Sequence, residues 1–126
     1  MSYSTSVSAI NAASLSQQLT ANDVANINTN EYRSKRLDLE SGPQGQGVRP
    51  AAVRENTSPG PAVEELQTRE NEQGRVEQQK TLVEGSNTDM VEESVQMIKD
   101  EVYLRSNAEV IAAYHEETGN LLDILI

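Results

Sequence analysis

The side chains in this sequence that could carry out chemistry include a single histidine. His115 is followed directly by Glu116 and Glu117, and an imidazole beside carboxylates can take part in a metal site or in acid–base catalysis. A zinc site needs three or four converging ligands, and the sequence has neither a cysteine nor a second histidine. We therefore interpret His115 as a surface histidine, and we expect no metal and no cofactor.

The carboxylate pairs and the serines form no catalytic pattern. Glu64 with Glu65 and Glu92 with Glu93 are neighbours in sequence, so on a helix the two side chains of a pair do not converge as an acid and a base. None of the serines lies in a G-x-S-x-G setting, and the glycines at 42–47 do not follow a strand and open a helix as a phosphate loop does. The sequence predicts no enzymatic activity and no small-molecule substrate.

Charge narrows the possible partners. The chain has 20 acidic and 10 basic residues, a formal net charge of −10, whereas a protein that binds a nucleic-acid duplex needs a basic face to displace counterions from phosphates. We therefore do not expect nucleic acid as a partner. Most of the excess charge lies at the C-terminal end, where positions 84–126 hold 10 acidic and 2 basic residues.

The apolar content is low for a domain that folds alone. There is no Phe and no Trp, and Leu, Ile and Val together make up 27 of the 126 residues, close to the range in which disorder becomes common. We therefore expect either a thin core or a core that other chains complete. Positions 1–10 lack the basic and apolar regions of a Sec-type signal peptide, and no apolar run approaches the roughly 20 residues of a membrane span.

The first element that could position side chains is a helix predicted over 6–27. Within it, heptad spacing of 3, 4, 3 and 4 joins Ala12, Leu15, Leu19, Asn22 and Asn26. Asparagine at such a seam fixes register and partner number, which favours a specified contact between helices. The alternative is that the asparagines near position 26 end the helix, and the sequence leaves both open. The basic residues at 33–36 are interpreted as a solvated turn.

The strongest helix signal covers Asp89 to about position 124. Asp89 and Glu92 have the spacing of a capping box, and apolar residues fall on two nearly opposite lines of a helical wheel. One line holds Val91, Val95, Ile98 and Val102, and the other holds Met90, Met97, Leu104, Ala108, Ile111, Leu122 and Leu125. A helix that is apolar on two sides needs more than one neighbour, which favours an intermolecular contact. The alternative is a helix held between the first helix and a folded-back middle.

The middle interrupts the helical pattern. All four prolines and four of the seven glycines fall within 42–61, which cannot be continuous helix. Short strands are possible at 47–55 and 75–84, and periodicity leaves 62–72 open between a strand and an exposed helix. The expected fold is therefore mainly α. Long N- and C-terminal helices pair as a coiled-coil-like hairpin around a small irregular or β-containing middle, with boundaries at 1–41, 42–85 and 86–126.

Two stretches carry a family resemblance. A-N-D-V-A-N-I-N-T-N-E-Y-R, at 21–33, resembles the N-terminal signature of bacterial flagellar rod and hook proteins, approximately A-N-N-I-A-N-x-N-T-x-G-Y-K. S-N-T-D-M-V-E-E, at 86–93, resembles their C-terminal signature S-N-V-D-x-V-E-E, and the likeness continues in short matches to position 122. Asp23 stands where the pattern has Asn, and Glu31 stands where it has Gly. The second departure matters if that position has a positive φ, which glutamate tolerates poorly.

The resemblance implies a structural role. Members of that family are exported through the flagellar type III apparatus without a cleaved signal, and their terminal helices form the inner layer of an axial tube. The short middle is nearest to a proximal rod subunit, located in the basal body where the rod crosses the periplasm. The expected partners are other rod subunits and copies of the chain itself. The alternative is a soluble acidic helical adaptor or an export-chaperone-like binding module.

The expected assembly contacts are seam and signature positions on the two terminal helices and the turn after the first. They are Leu15, Leu19, Asn22, Asn26, Tyr32, Val91, Val95, Ile98, Tyr103, Asn107 and Ile111.

Overall fold

The structure is a computed structural model, and it describes residues 3–126. Two helices flank four strands along the chain. The elements in order are α1 (Tyr3–Ala25), β1 (Lys35–Ser41), β2 (Val48–Glu55), β3 (Ala62–Glu70), β4 (Val76–Glu84) and α2 (Met90–Leu125), with a 3-10 turn at Pro43–Gly45. The strands pair as two separate antiparallel hairpins, β1 with β2 and β3 with β4.

The prediction of a mainly α fold with a small middle segment is wrong, because the arrangement is α+β. The strands hold 7, 8, 9 and 9 residues, and the stretch that periodicity left open between strand and helix forms β3. The prediction failed most clearly at β1. Only Leu37 and Leu39 alternate with charged residues in β1. That pattern is too short to predict a strand beside the basic residues at 33–36, which favoured a turn.

The two terminal helices pack against each other antiparallel. The end of α1 at Asp23 lies beside Glu93, early in α2, and the ring centroid of Tyr3 lies 6.0 Å from that of Tyr114, late in α2. The predicted helix start at Asp89 is confirmed, since its carboxylate accepts a hydrogen bond of 2.9 Å from the backbone N–H of the second helical residue. That bond satisfies one of the unpaired donors of the first turn.

The β1–β2 hairpin packs on α1. Its anchor is Ser8, whose Oγ accepts a hydrogen bond of 3.2 Å from the Val48 backbone N–H. Gly47, the residue before Val48, has a φ of 73°, and a Cβ at Gly47 would come within 2.6 Å of the Ser8 Oγ. Glycine thus permits both the backbone conformation and the close approach that let β2 begin against the helix.

The β3–β4 hairpin projects from the rest of the chain. Every residue of β3 is exposed, and the contacts of both strands are mainly with each other. The Oδ1 of Asn71 closes the connecting turn by accepting hydrogen bonds from the N–H groups of Gln73 and Arg75 at 3.0 and 2.9 Å. An isolated two-stranded hairpin is marginally stable in water, so we expect this hairpin to be the least protected part of the fold.

The expectation of a thin core is confirmed. Within residues 3–126 the buried apolar side chains are those of Ala12 and Ala13 alone. The other buried side chains are polar or charged: Ser6, Thr20, Asp23, Ser34, Ser86, Glu93 and Asp100. Between the helices the Asp100 carboxylate accepts hydrogen bonds from the Ser16 hydroxyl at 2.8 Å and the Gln96 amide at 3.0 Å. Small and polar residues therefore line the contact between α1 and α2.

Glu31 has a φ of 62°, at the position where the resembled pattern has glycine. We predict that Glu31→Gly raises the free energy of unfolding by about 0.5–1 kcal/mol. Relief of left-handed strain contributes about 1–2 kcal/mol, and the greater freedom of glycine in the unfolded chain offsets part of it. Glu40→Gly is the control, since Glu40 lies in β1 and is not a positive-φ residue, and it should destabilise the fold. Urea unfolding measures both, and a loss of stability in Glu31→Gly would contradict the strained geometry.

Candidate functional site

The two stretches that carry the family resemblance meet in space. The Tyr32 carbonyl accepts a hydrogen bond of 3.2 Å from the Asn87 N–H, and the Asn87 Oδ1 accepts one of 2.7 Å from the Ser34 N–H. Beside them the Glu31 N–H donates to the Glu84 carbonyl at 2.8 Å. The turn after α1 and the segment before α2 are thus joined by backbone pairing, although they lie more than 50 positions apart. We call this region the signature junction, residues 31–34 with 84–87.

The Asn87 side chain extends the signature junction to the strands. Its Nδ2 donates hydrogen bonds to the carbonyls of Asn56 and Ser58, at 2.8 and 2.9 Å, just after β2. Arg33 forms an ion pair of 2.8 Å with Glu84 at the end of β4. One asparagine therefore satisfies three backbone groups of the connecting segments, which would otherwise cost free energy wherever water is excluded.

Next to the signature junction lies a group of ionisable side chains around two buried carboxyl groups, here called the Asp23 cluster: Asp23, Tyr32, Lys35, Arg36 and Glu93. The Asp23 carboxylate accepts a hydrogen bond of 2.9 Å from the Tyr32 hydroxyl and others of 3.1 and 3.2 Å from the Lys35 backbone N–H. The Arg36 Nη1 lies 3.5 Å from Asp23 and 2.8 Å from Glu93. The cluster ties the end of α1 and the start of β1 to the first turn of α2.

Two pKa values in the Asp23 cluster are displaced. Burial, opposed by the hydrogen bond from Arg36, raises the pKa of Glu93 from 4.5 to about 7, and the charge of Asp23 adds to the rise. Burial and the hydrogen bond to Asp23 raise the pKa of Tyr32 from 10.0 to about 12. In both cases the surroundings disfavour a second negative charge beside Asp23.

Sequence reasoning missed the Asp23 cluster. The interpretation of the basic run as a solvated turn is wrong, because Arg33 pairs with Glu84 and Arg36 lies between two acidic side chains. A signal did exist: Asp23 introduces a carboxylate where the resembled pattern has an amide. A carboxylate there calls for an additional cation, and Arg36 supplies it.

The first apolar line predicted on α2, here called the outer line, is Val91, Val95, Ile98 and Val102. On a wheel of 100° per residue it lies opposite the inner positions of α2 that face α1, namely Glu93, Gln96 and Asp100. Its side chains are 72, 49, 63 and 54% exposed in that order. In this helix pair, polar side chains lie between the helices and the apolar side chains of the outer line face outward. This is the reverse of their usual placement in a globular domain.

The second apolar line follows the flank of α2 and its C-terminal end. Leu104 and Ile111 are half-buried, whereas Met90, Met97, Leu122 and Leu125 are exposed. Because Tyr3 contacts Tyr114 and His115, the part of α2 after position 115 extends beyond the level of Tyr3. The alternative of a helix covered by a folded-back middle does not describe the outer line, since both β hairpins leave it exposed.

The predicted contact positions of the N-terminal part fall into two groups. Leu15, Leu19, Asn26 and Tyr32 are half-buried, and Asn22 is exposed. The Asn26 Nδ2 donates to the carbonyl and Oδ1 of Asn22 at 2.8 and 3.0 Å, just after α1 ends. These bonds are local and suit the interpretation of Asn26 as a helix-ending residue.

The remaining predicted positions lie on α2. Val91, Val95, Ile98 and Tyr103 are exposed, and Asn107 and Ile111 are half-buried. Tyr103 and Asn107 line a groove of about 160 Å³ between α2, α1 and the β1–β2 hairpin. Alanines of α1 and leucines of β1 form its apolar walls. The structure thus brings these two positions to the groove, while the outer line forms a separate surface.

In the part of the chain that the structure describes, no three His, Asp or Glu side chains converge as metal ligands would. None of the helices within residues 3–126 combines the length and the apolar character needed to cross a membrane. No protein-family model and no curated protein matches the sequence.

Proposed function

We propose that this chain is a structural subunit of the bacterial flagellar basal-body rod. It polymerises through its terminal helices to form part of the axial drive shaft, with other rod subunits and copies of itself as partners, and it has no enzymatic activity. The observation that carries the proposal is the exposed outer line on α2. The order and spacing of the two signature stretches supply the family to which the proposal points.

The energetics of the outer line favour a partner. Burying a Val or Ile side chain fully contributes about 1.5–3 kcal/mol, and its four side chains follow one another along the face of α2. Soluble monomers rarely expose a large contiguous apolar patch unless it binds something. A neighbouring helix laid along this line would bury all four residues at once, as in a coiled-coil contact.

The signature junction supports the same proposal in a second way. The resemblance rests on two separate sequence stretches, and hydrogen bonds join them through Tyr32, Ser34 and Asn87. Such pairing positions the first turn of α2, where the outer line begins at Val91. In a rod subunit this junction would transmit load between the helix layer and the β hairpins. The location that follows is the rod where it crosses the periplasm, reached by export without a cleaved signal.

The experiment uses introduced cysteines, because the native chain has none. We predict that cysteines introduced together at Leu19 and Ile98 cross-link efficiently between chains in intact basal bodies under mild oxidation, because in an open-ended polymer one surface meets a different surface of the next copy. A disulfide requires Cα atoms within about 7 Å, so efficient cross-linking reports a defined contact. Thr68→Cys, an exposed position on β3, is the control and should cross-link poorly.

Two results would contradict the proposal. One is the absence of the protein from purified basal bodies. The other is a stable monomer that binds one partner at fixed stoichiometry through Ile98, which would instead support the adaptor or export-chaperone-like module.

A further inference from the structure

Two acidic side chains of the Asp23 cluster compete for a single cation. The residues Asp23 and Glu93 are 0 and 1% exposed, and the same nitrogen, Nη1 of Arg36, lies within 3.5 Å of both carboxylates. Lys35 contacts Asp23 through its backbone N–H, and its ammonium lies over the Tyr32 ring, 5.3 Å from the ring centroid. If both carboxyl groups were ionised, Arg36 would therefore have to compensate two negative charges. Burying an uncompensated charge is costly, and a proton is the simplest way to remove it.

The geometry indicates which carboxyl group holds the proton. Asp23 has several donors, namely the Tyr32 hydroxyl, the Lys35 N–H and Arg36. Glu93 is held by Arg36, whose Nη1 lies 2.8 and 3.1 Å from its two carboxylate oxygens. A proton on Glu93 leaves the Asp23 carboxylate opposite one guanidinium, with no excess negative charge between them.

We propose that Glu93 and Asp23 form a proton-dependent latch, in which a proton held by Glu93 keeps the first turn of α2 closed against α1 and β1. Loss of the proton restores repulsion between the two carboxylates and loosens this end of the helix pair. The latch is a property of the single chain and does not depend on the proposed function. Because Glu93 lies between Val91 and Val95 on α2, opening would also displace the start of the outer line.

The direction of the pH dependence follows from the pKa of Glu93, which rises from 4.5 to about 7 on folding. Between these two pH values the folded chain binds more protons than the unfolded chain, so stability falls as pH rises. Below the window the contribution of the latch is fully present. Above it both states are deprotonated, and stability stays at its lower level.

Other ionisable groups surround the latch on each element packed against it. Tyr32, with a pKa of about 12, stays neutral in this window, and β1 contributes the cations Arg36 and Lys35. The charge of Glu55 of β2 contributes to the raised pKa of Tyr32. Glu92 is the residue before Glu93 on α2, about 100° away from it around the helix. The only histidine lies at the opposite end of α2, against Tyr3. Glu92, which is exposed, therefore gives a matched control.

The test compares the full chain with Glu93→Gln and Glu92→Gln at pH 5 and pH 8, at constant ionic strength and at a concentration where all are monomeric. Glutamine mimics the protonated acid. We expect hydrogen-exchange protection of the amides at 93–96 to fall about 10- to 100-fold from pH 5 to pH 8 in the native chain, after correction for intrinsic exchange, because most of the rise in the Glu93 pKa lies between these two pH values. The fall should persist in Glu92→Gln and disappear in Glu93→Gln, whose protection should equal the native value at pH 5.

A native-like fall in Glu93→Gln would overturn the latch, as would a native chain whose protection does not change with pH. If a variant is too unstable to measure, an excluded osmolyte keeps all three chains folded under identical conditions. Asp23→Asn serves as a second variant. Without the neighbouring carboxylate, the fall should move to lower pH, and an unchanged midpoint would contradict the role of the acid pair.

Discussion

Replacing Ile98 by aspartate should weaken self-association by at least about 25-fold and leave the fold of the single chain intact. Ile98 is 63% exposed at the centre of the outer line, so its removal opens no cavity within the chain. At an interface between copies, the same change would bury an unpaired carboxylate. Removing a central contact of this kind costs about 2 kcal/mol or more of binding free energy, and every 1.4 kcal/mol is tenfold in affinity.

Thr68→Asp is the control for this prediction, because it adds the same charge at an exposed position of β3. It should leave association almost unchanged. Sedimentation velocity measures the association of both variants, and far-ultraviolet circular dichroism checks that the helices persist. Equal association of Ile98→Asp and Thr68→Asp would show that the outer line is not the contact surface.

Replacing Arg36 by alanine should lower the free energy of unfolding by about 2–3 kcal/mol near neutral pH. Removing one partner of a buried ion pair costs about 3–5 kcal/mol, because the remaining charge stays uncompensated. The value expected here is smaller, because the Arg36 side chain is 36% exposed and its pairing is partly screened by solvent. For a chain with so small a core, such a loss is a large fraction of the total stability.

Arg54→Ala is the matched control. Arg54 pairs with Asp38 at 2.8 Å, but its side chain is 74% exposed, so the change should cost less than about 0.5 kcal/mol. Adding Glu93→Gln to Arg36→Ala should recover much of the loss, because only one buried carboxylate then remains. Urea unfolding of the three variants gives the values. Equal effects of the two arginine substitutions would contradict the central place of Arg36 in the Asp23 cluster.

The helices were predictable from local signals. The spacing of Asp89 and Glu92 predicted the start of α2, and the apolar periodicity after it predicted a helix almost to the end of the chain. The 3.6-residue period also revealed two apolar lines. Which side of α2 faces α1 could not be read from the sequence, because the bonded positions on that side are polar and belong to neither apolar line. The buried positions of α1, such as Ser6, Ala13 and Thr20, are small or polar and carry no hydrophobic signal.

The short strands that the sequence allowed at 47–55 and 75–84 are present as β2 and β4, whereas β1 and the Asp23 cluster depend on contacts distant in sequence. In β1 only two apolar residues alternate, so pairing with β2 and packing on α1 decide its conformation. The cluster joins Asp23, Arg36 and Glu93, which belong to three elements, and no spacing rule connects them. Glu31 was different. The resembled pattern has glycine at that position, which raised the question of a positive φ, and the structure has a φ of 62° there.

Sedimentation equilibrium of the unmodified chain, across a range of concentrations and ionic strengths at fixed pH, tests most directly whether the outer line joins copies of this protein. With 10 acidic and 2 basic residues at 84–126, identical copies repel, and salt screens that repulsion. We predict that the average mass grows with concentration without stopping at a fixed stoichiometry and that added salt strengthens the growth. A chain that stays monomeric at every concentration and salt level, or that self-associates tightly at low salt and dissociates when salt is added, would contradict it.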